Sequence, residues 1–282
     1  MFKSILFRIK TRVRIELFNF AITTNRMSLK FRSVRIQSIR ELTEDASEIT
    51  LELTEEMKDH FKFDAGQYLT FRAQLNGEEI RRSYSLCSSP SENGLSVGIK
   101  RVKDGLFSNY ALNNWKVGDE VEVMPPSGNF KFQPDPTRKR NLVLFAAGSG
   151  ITPILSIAKT LLQNEPNSQV TLFYGNKGFA HIMFAEELEN LKNLYLTRFR
   201  LFHIFSQESQ GIPIQKGRID SERLSKLHQA FLKNEQIDAI YSCGPESMIL
   251  NVKYYFEQQG MAASNIHFEL FLVPRNPIRL FH

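Results

Sequence analysis

The chain is poor in the residues that would commit it to metal or disulfide chemistry. Its 282 residues include two cysteines, Cys87 and Cys243, far apart, and six scattered histidines. No CxxC, HxxxH or HExxH spacing exists to hold a metal. A four-cysteine iron–sulfur or zinc centre within these residues is therefore excluded, and a disulfide framework has no support. Long apolar runs are missing too: no segment reaches the roughly 18 residues that a membrane span requires. With 42% hydrophobic and 23% charged residues, and a mean hydropathy of −0.28, the chain is equally far from a disordered polymer. At about 100–200 residues per domain, its length suits two cores rather than one.

Acid is scarce in one region only. Residues 1–26 carry Lys3, Arg8, Lys10, Arg12, Arg14 and Arg26 against Glu16 alone, so nearly all of the formal charge of +6 sits there and the body is close to neutral. A pI of about 9.2 invites a nucleic-acid reading, but the body has no basic stripe interleaved with aromatics, which argues against that partner. Phe2, Ile5, Leu6, Ile9, Val13, Phe18 and Phe20 are threaded among the cations, which is compatible with weak contact with an anionic membrane surface. The same cations interrupt any secretory h-region. A loose tail before a start at Met27, or a targeting segment, would read the same way. The expected compartment is cytoplasmic.

Two periodicities divide the body. From residue 31 to about 133 the apolar period is two: Val34 and Ile36, Ile49 to Leu53, Tyr68 to Phe71, Ile80 to Leu86, Leu95 to Val102 and Val121 to Met124. Asn76-Gly77, Val117-Gly118-Asp119 and Pro125-Pro126-Ser127-Gly128 punctuate these runs as turns. The pattern predicts a small antiparallel β-barrel. A polar, proline-bearing linker follows at Pro134 to Arg140. Asn141 to Ala147 is then continuously apolar, as in a strand buried on both faces of a parallel sheet. Helices are expected at Thr152–Leu162, Phe184–Leu191, Ser221–Leu232 and Pro245–Gln259, alternating with strands at Gln169–Tyr174, Leu196–Phe205 and Ala239–Cys243. That alternation predicts a doubly wound α/β sheet.

Gly148-Ser149-Gly150-Ile151-Thr152-Pro153 joins the first buried strand to the first helix. Its glycines permit a tight turn and close approach of a diphosphate, Thr152 suits an N-cap, and Pro153 suits the first helical turn. A ligand-free turn would also fit. No carboxylate follows the second strand at Tyr174-Gly175-Asn176-Lys177 to hold a ribose 2′-hydroxyl, and Lys177 could instead face a 2′-phosphate; NADH and NADPH stay open. Cys243, before Gly244-Pro245, is expected beside the same crevice, either as a small core residue or at a ligand, with no base adjacent in sequence to activate it. In Arg82-Ser83-Tyr84-Ser85-Leu86-Cys87-Ser88, strand geometry puts Arg82 and Tyr84 on one face. A cation and a ring could thus address one ligand, or form a surface cation beside a half-buried tyrosine.

That string is followed in order by Lys103-Asp104-Gly105-Leu106-Phe107-Ser108-Asn109-Tyr110, Pro126-Ser127-Gly128-Asn129-Phe130, the glycine turn, Tyr174-Gly175-Asn176 and Cys243-Gly244-Pro245. Over residues 30–272 it resembles the R-x-Y-S-x-x-S flavin motif and its companions in the ferredoxin–NADP reductase family. The reductase components of bacterial oxygenases, the phenylacetyl-CoA epoxidase reductase group among them, are the nearest in character. The resemblance implies FAD and either NADPH or NADH as cofactors, with no metal. It divides the chain into a basic extension (1–26), an FAD-binding barrel (27–136), an NAD(P)-binding α/β domain (137–272) and a tail or start of linker (273–282).

Residue by residue, the resemblance has Tyr84 stack on the isoalloxazine, Arg82 pair with the FAD pyrophosphate and Ser85 lie near flavin N5. Ser88 closes the motif, and Lys100 lies beside the ribityl and diphosphate. Gly105, Phe107 and Ser108 open a short helix whose amides receive a phosphate. Gly148, Gly150, Thr152 and Pro153 take the diphosphate of the nicotinamide cofactor, with Asn176, Lys177, Gly244 and Pro245 around the same dinucleotide. Cys243 lies near the nicotinamide ring, and Glu269 and Phe271, two apart on a strand-like segment, lie at the flavin edge. Tyr84, Ser85 and Cys243 are then the residues nearest the chemistry. The implied activity moves electrons from a nicotinamide through flavin to a ferredoxin or oxygenase component. Alternatives on the same fold are a flavin or haem-protein reductase and a non-catalytic FAD-binding regulatory module. Many such reductases continue into a plant-type [2Fe–2S] domain; no cysteine follows Cys243 here, so either a separate carrier accepts the electrons or that domain has been lost.

Overall fold

The computed structural model describes residues 30–271 apart from residue 210. The basic extension and the tail from 273 onwards lie outside the described residues. Arg32–Thr43 (β1) and Ala46–Glu52 (β2) form a first antiparallel pair, and a single helical turn, Glu55–Lys58 (α1), leads on to Tyr68–Leu75 (β3), Glu78–Ser85 (β4) and Leu95–Lys100 (β5). After Leu106–Asn114 (α2), Glu120–Ser127 (β6) completes a 6-stranded antiparallel sheet in the order β4-β3-β6-β1-β2-β5. Its edges meet where Leu86 bridges Val97 and the Cys87 amide donates to the Ser96 carbonyl at 2.8 Å, which closes a barrel and leaves no free edge there. The period-two residues Val34, Ile36, Ile49, Leu51, Leu69, Phe71, Val97, Ile99, Val121 and Val123 fill the interior, and Phe107 and Ala111 of α2 join them. Asn76 (φ 54°) and Gly77 (φ 81°) form the two-residue β3–β4 turn that the dipeptide predicts.

Asn141–Ala147 (β7), Gln169–Asn176 (β8), Phe199–Phe205 (β9), Ala239–Gly244 (β10) and Ile266–Leu270 (β11) form a 5-stranded parallel sheet in the order β11-β10-β7-β8-β9. From Leu142 to Ala147 β7 is apolar because it serves two cores. Leu142, Leu144 and Ala146 pack in the core shared with Ile151–Asn164 (α3) and Ala185–Leu194 (α4). Val143 and Phe145 pack with Ser221–Phe231 (α5) and Glu246–Gln258 (α6). The strand order reverses between β7 and β10, so the crevice beyond their carboxyl ends is the topological switch point where such sheets bind ligands.

The structure corrects three local expectations. Thr152 is not an N-cap: a 3₁₀ turn over Gly148–Gly150 runs directly into α3, Gly150 occupies the cap position, and the Thr152 hydroxyl donates to the Ser149 carbonyl at 3.0 Å. The third strand of the parallel sheet starts at Phe199, not at 196, because residues 195–198 are spent on a turn in which the Arg198 amide reaches the Tyr195 carbonyl at 2.8 Å. Phe184, expected inside the second helix, precedes it in the left-handed conformation, φ 60°. The linker is pinned: fully buried Glu165 accepts from the Asp135 amide at 2.9 Å and pairs with Arg140.

Candidate functional site

A cleft of about 560 Å³ runs between the barrel and the parallel sheet. One wall is the end of β4, with Arg82, Tyr84 and Ser85. The floor is β5 and the loop into α2, with Gly98, Lys100 and Gly105. Ser149 and Thr152 of the glycine turn form the opposite wall, and Phe271, just beyond β11, closes one side. Residues more than 180 apart in sequence thus share one concave surface; the Ser85 hydroxyl donates to Glu269 Oε2 at 2.9 Å across |i−j| = 184.

Each wall has a physical reason for its shape. Tyr84 is held ring-first: it meets Phe71 edge-on at 6.0 Å (69°) and lies tilted against Phe107 at 6.0 Å (40°), and burial pushes its phenol up to about 12. Arg82 rests its guanidinium on the Arg81 carbonyl at 2.7 Å and has no carboxylate partner among the described residues, which leaves a cation available beside the ring. Lys100, also at the cleft, is paired with Asp45 at 3.2 Å. Gly105 caps α2 without any side-chain hydrogen bond, so the first amides of that nine-residue helix are open to an anion. Glu269 is pushed up to about 7 by burial, against the pull of the Ser85 hydroxyl.

The expected residues separate into three groups. Arg82, Tyr84, Ser85, Lys100, Gly105, Phe107, Ser108, Thr152 and Phe271 line the cleft. Within this group the Phe107 ring is buried beneath Tyr84, and the Ser108 hydroxyl accepts from the Val102 amide at 3.1 Å. Glu269 reaches the same surface through Ser85. Gly148, Gly150, Pro153, Asn176, Gly244 and Pro245 lie at the carboxyl end of the parallel sheet around the switch point. Gly150 is required there: a Cβ would overlap the Cys243 carbonyl, because the two backbones cross in contact. Asn176 is buried at the end of β8, its side chain beside the Tyr174 phenol.

The remaining three, like the six at the sheet's carboxyl end, are not part of the cleft lining. Ser88 is buried, its hydroxyl accepting from the Ser96 amide at 3.1 Å and its carbonyl accepting from Ser156 at 2.6 Å, so it ties the barrel to α3. Cys243 is fully buried, and burial, with Glu269 alongside, pushes its thiol well above the ordinary range. Lys177 is exposed on the loop after β8. Gly98, Lys103, Asp104 and Ser149 line the cleft although the sequence pattern assigns them no role there. Gly98 had a readable signal: a glycine inside a strand marks close approach, and a Cβ there would come within 2.6 Å of Thr152 Cγ2.

The cleft's chemistry suits a flat ring with a diphosphate arm: an aromatic face, a free cation, and an uncapped helix start. The glycine turn brings a second diphosphate-type site alongside. Fold and cleft together define a two-part flavin and nicotinamide oxidoreductase. Residues 33–132 match the oxidoreductase FAD-binding domain family and residues 144–253 the oxidoreductase NAD-binding domain family. The chain is 38% identical over 249 residues to a component of 1,2-phenylacetyl-CoA epoxidase from Escherichia coli, covering 88% of this chain and 70% of the relative. It is 32% identical to the ferredoxin reductase component of 3-ketosteroid-9-alpha-monooxygenase from Rhodococcus rhodochrous, covering 84% and 64%. The FAD/NAD-binding domain of nitric oxide dioxygenase from Vibrio cholerae superposes with a TM-score of 0.71 at 25% identity, covering 86% of this chain and 99% of that one. Ferredoxin-NADP+ reductase from Plasmodium falciparum shares the fold, TM-score 0.71 at 21% identity, covering 86% and 96%. The chain therefore belongs to the ferredoxin reductase family of FAD- and NAD-binding oxidoreductases. No helix among the described residues is long and apolar enough to cross a membrane.

Proposed function

We propose that this chain is an NAD(P)H-dependent flavoprotein reductase that delivers electrons to an iron–sulfur protein or oxygenase component. One observation carries the reading: Tyr84 and Ser85 of the barrel and Ser149 and Thr152 of the glycine turn face each other across a single cleft. A flavin bound there would supply hydride acceptance and one-electron release, the hard part of the chemistry. The protein's share is placement and electrostatics. Tyr84 offers its ring to the tricyclic face, while Arg82 and the open amides at the start of α2 hold the diphosphate. The turn Gly148–Gly150 and the buried Asn176 hold the nicotinamide dinucleotide. Ser85 and Glu269 keep a proton at hand: the Glu269 carboxyl, raised to about 7, is part protonated near neutral pH, and its hydrogen bond fixes the Ser85 hydroxyl. No other acid–base pair is required. The relatives named above, an epoxidase component and a monooxygenase reductase component, support a protein acceptor.

The purified full chain should be yellow and should bleach anaerobically with NADH or NADPH, then turn over with an artificial acceptor. A colourless protein that cannot be reconstituted with FAD would overturn the proposal. Running both nicotinamides on the same preparation decides the preference, and supplying a separate ferredoxin tests the acceptor. A protein that keeps FAD without turnover would instead be a binding module.

A further inference from the structure

One face of α3 carries two sets of contacts. Its start delivers Ser149 and Thr152 to the cleft. Further along, Ser156, Lys159, Thr160 and Gln163 recur at helical spacing and meet the barrel's loop 87–94. The Ser156 hydroxyl donates to the Ser88 carbonyl at 2.6 Å, and Gln163 accepts from the Ser91 hydroxyl at 2.9 Å. Between them Lys159, only 5% exposed, sets its ammonium 3.2 Å from Glu92 of that loop and pairs with Glu187 of α4. Glu187 also accepts from Arg40 of β1 at 3.2 Å, and Arg40 pairs with Glu48 of β2 at 2.6 Å. The series Glu92, Lys159, Glu187, Arg40, Glu48 alternates in sign and crosses from barrel to parallel sheet and back. None of its members lines the cleft.

A buried ion pair is weak ground for stability. Removing an ammonium from water is costly, and well-packed apolar substitutes for buried ion pairs are often no less stable. What an ion pair adds is directional: it holds two elements at one spacing. The elements here are α3 and the loop that leaves β4 just after Ser85. Lys159 lies about 10 Å along the helix from Thr152, and α3 is packed on nearly every side, so a slide or tilt at Lys159 reaches the glycine turn as a rigid displacement.

We infer that Lys159 is a positioning residue: with Glu92 and Glu187 it sets the spacing between the Ser149–Thr152 turn and the Tyr84–Ser85 strand, and so the approach of the nicotinamide to the flavin, without touching either ligand. The inference rests on the reductase reading above. It fits the sensitivity of such transfers, where a displacement of about 1 Å costs about a hundredfold in rate.

The test compares wild type, Lys159→Met, Lys159→Arg and Glu92→Gln as FAD-loaded full chains. In Lys159→Met the flavin absorbance persists and KM for the nicotinamide stays within about threefold, while the limiting rate of flavin reduction falls about tenfold or more. Lys159→Arg restores most of that rate, and Glu92→Gln falls between. Measured without nicotinamide, amide hydrogen exchange over residues 87–94 rises about tenfold in Lys159→Met while β7 and β8 keep their protection. A folded Lys159→Met protein whose limiting rate stays within about twofold of wild type, whatever its melting temperature, overturns the inference. If Lys159→Met does not fold, Glu92→Gln decides by the same criterion. If neither nicotinamide reduces the wild type, the reductase reading fails, and the exchange comparison decides alone: unchanged protection of residues 87–94 removes the positioning role.

Discussion

The two walls of the cleft present recognition chemistry by opposite means. The barrel wall uses side chains: an aromatic ring braced by Phe71 and Phe107, a cation with no carboxylate partner among the described residues, and a hydroxyl held by Glu269. The parallel-sheet wall uses backbone, with Gly150 pressed against the Cys243 carbonyl and a 3₁₀ turn running straight into α3. A side chain removed from the first wall leaves the backbone around it in place. A side chain added at Gly150 on the second cannot be accommodated. Specificity is therefore tunable on the barrel side, and the dinucleotide side is constrained by packing.

The largest break in that contrast is Gly150→Ala. Its new methyl group would overlap the backbone of β10, and a loss on the order of 4 kcal/mol or more is expected. Thermal or urea unfolding checks it; a variant melting within a few degrees of wild type would mean the backbones do not need to touch. Tyr84→Ala should leave a folded barrel but weaken FAD retention about ten- to a hundredfold, the equivalent of roughly 1–3 kcal/mol of ring stacking. Flavin content after gel filtration reads this out, and unchanged content would remove the stacking role.

Glu269→Gln sharpens the comparison through pH. The folded-state carboxyl titrates near 7 against an ordinary value of 4.5. A carboxyl raised in this way adds stability that is complete below about pH 4.5 and lost by the time pH has risen through 7. The excess is at most about 3 kcal/mol. Wild type should therefore lose stability relative to Glu269→Gln as pH climbs from 4.5 to 7.5, and parallel curves would refute the assignment. The smallest effect belongs to Lys177→Ala. Stability should hold within about 0.5 kcal/mol, and the ratio of NADPH to NADH efficiency should change by less than about tenfold, as befits one exposed charge. A larger change would give this loop a share in cofactor choice comparable to that of the walls.

Much of this architecture could be read from local patterns. Period-two runs marked the barrel strands, Asn76-Gly77 marked a hairpin, and the unbroken apolar run of β7 marked a strand with a core on each face. The family resemblance carried by the ordered motifs placed Arg82, Tyr84 and the glycine turn at one site, and the structure brings Arg82, Tyr84, Ser149 and Thr152 to one cleft. What stayed illegible depends on partners distant in sequence. Thr152 has the letters of an N-cap, yet the preceding 3₁₀ turn moves the helix start and leaves its hydroxyl bonded backwards. Ser88 belongs to a binding motif, but its two bonds, to Ser96 and Ser156, are made by barrel closure and by docking onto α3. Lys159 sits in a run of helix formers like any surface lysine; only the packing of a second body over α3 buries it and selects Glu92 and Glu187.

The fate of the two thiols has a practical corollary. Cys87 and Cys243 are both fully buried, and burial pushes both thiols well above their ordinary value. Sulfur oxidation follows thiolate character and access, and no sulfur-bearing residue borders the cleft among the described residues. An oxidant formed in the cleft would therefore meet no thiol or thioether on its walls.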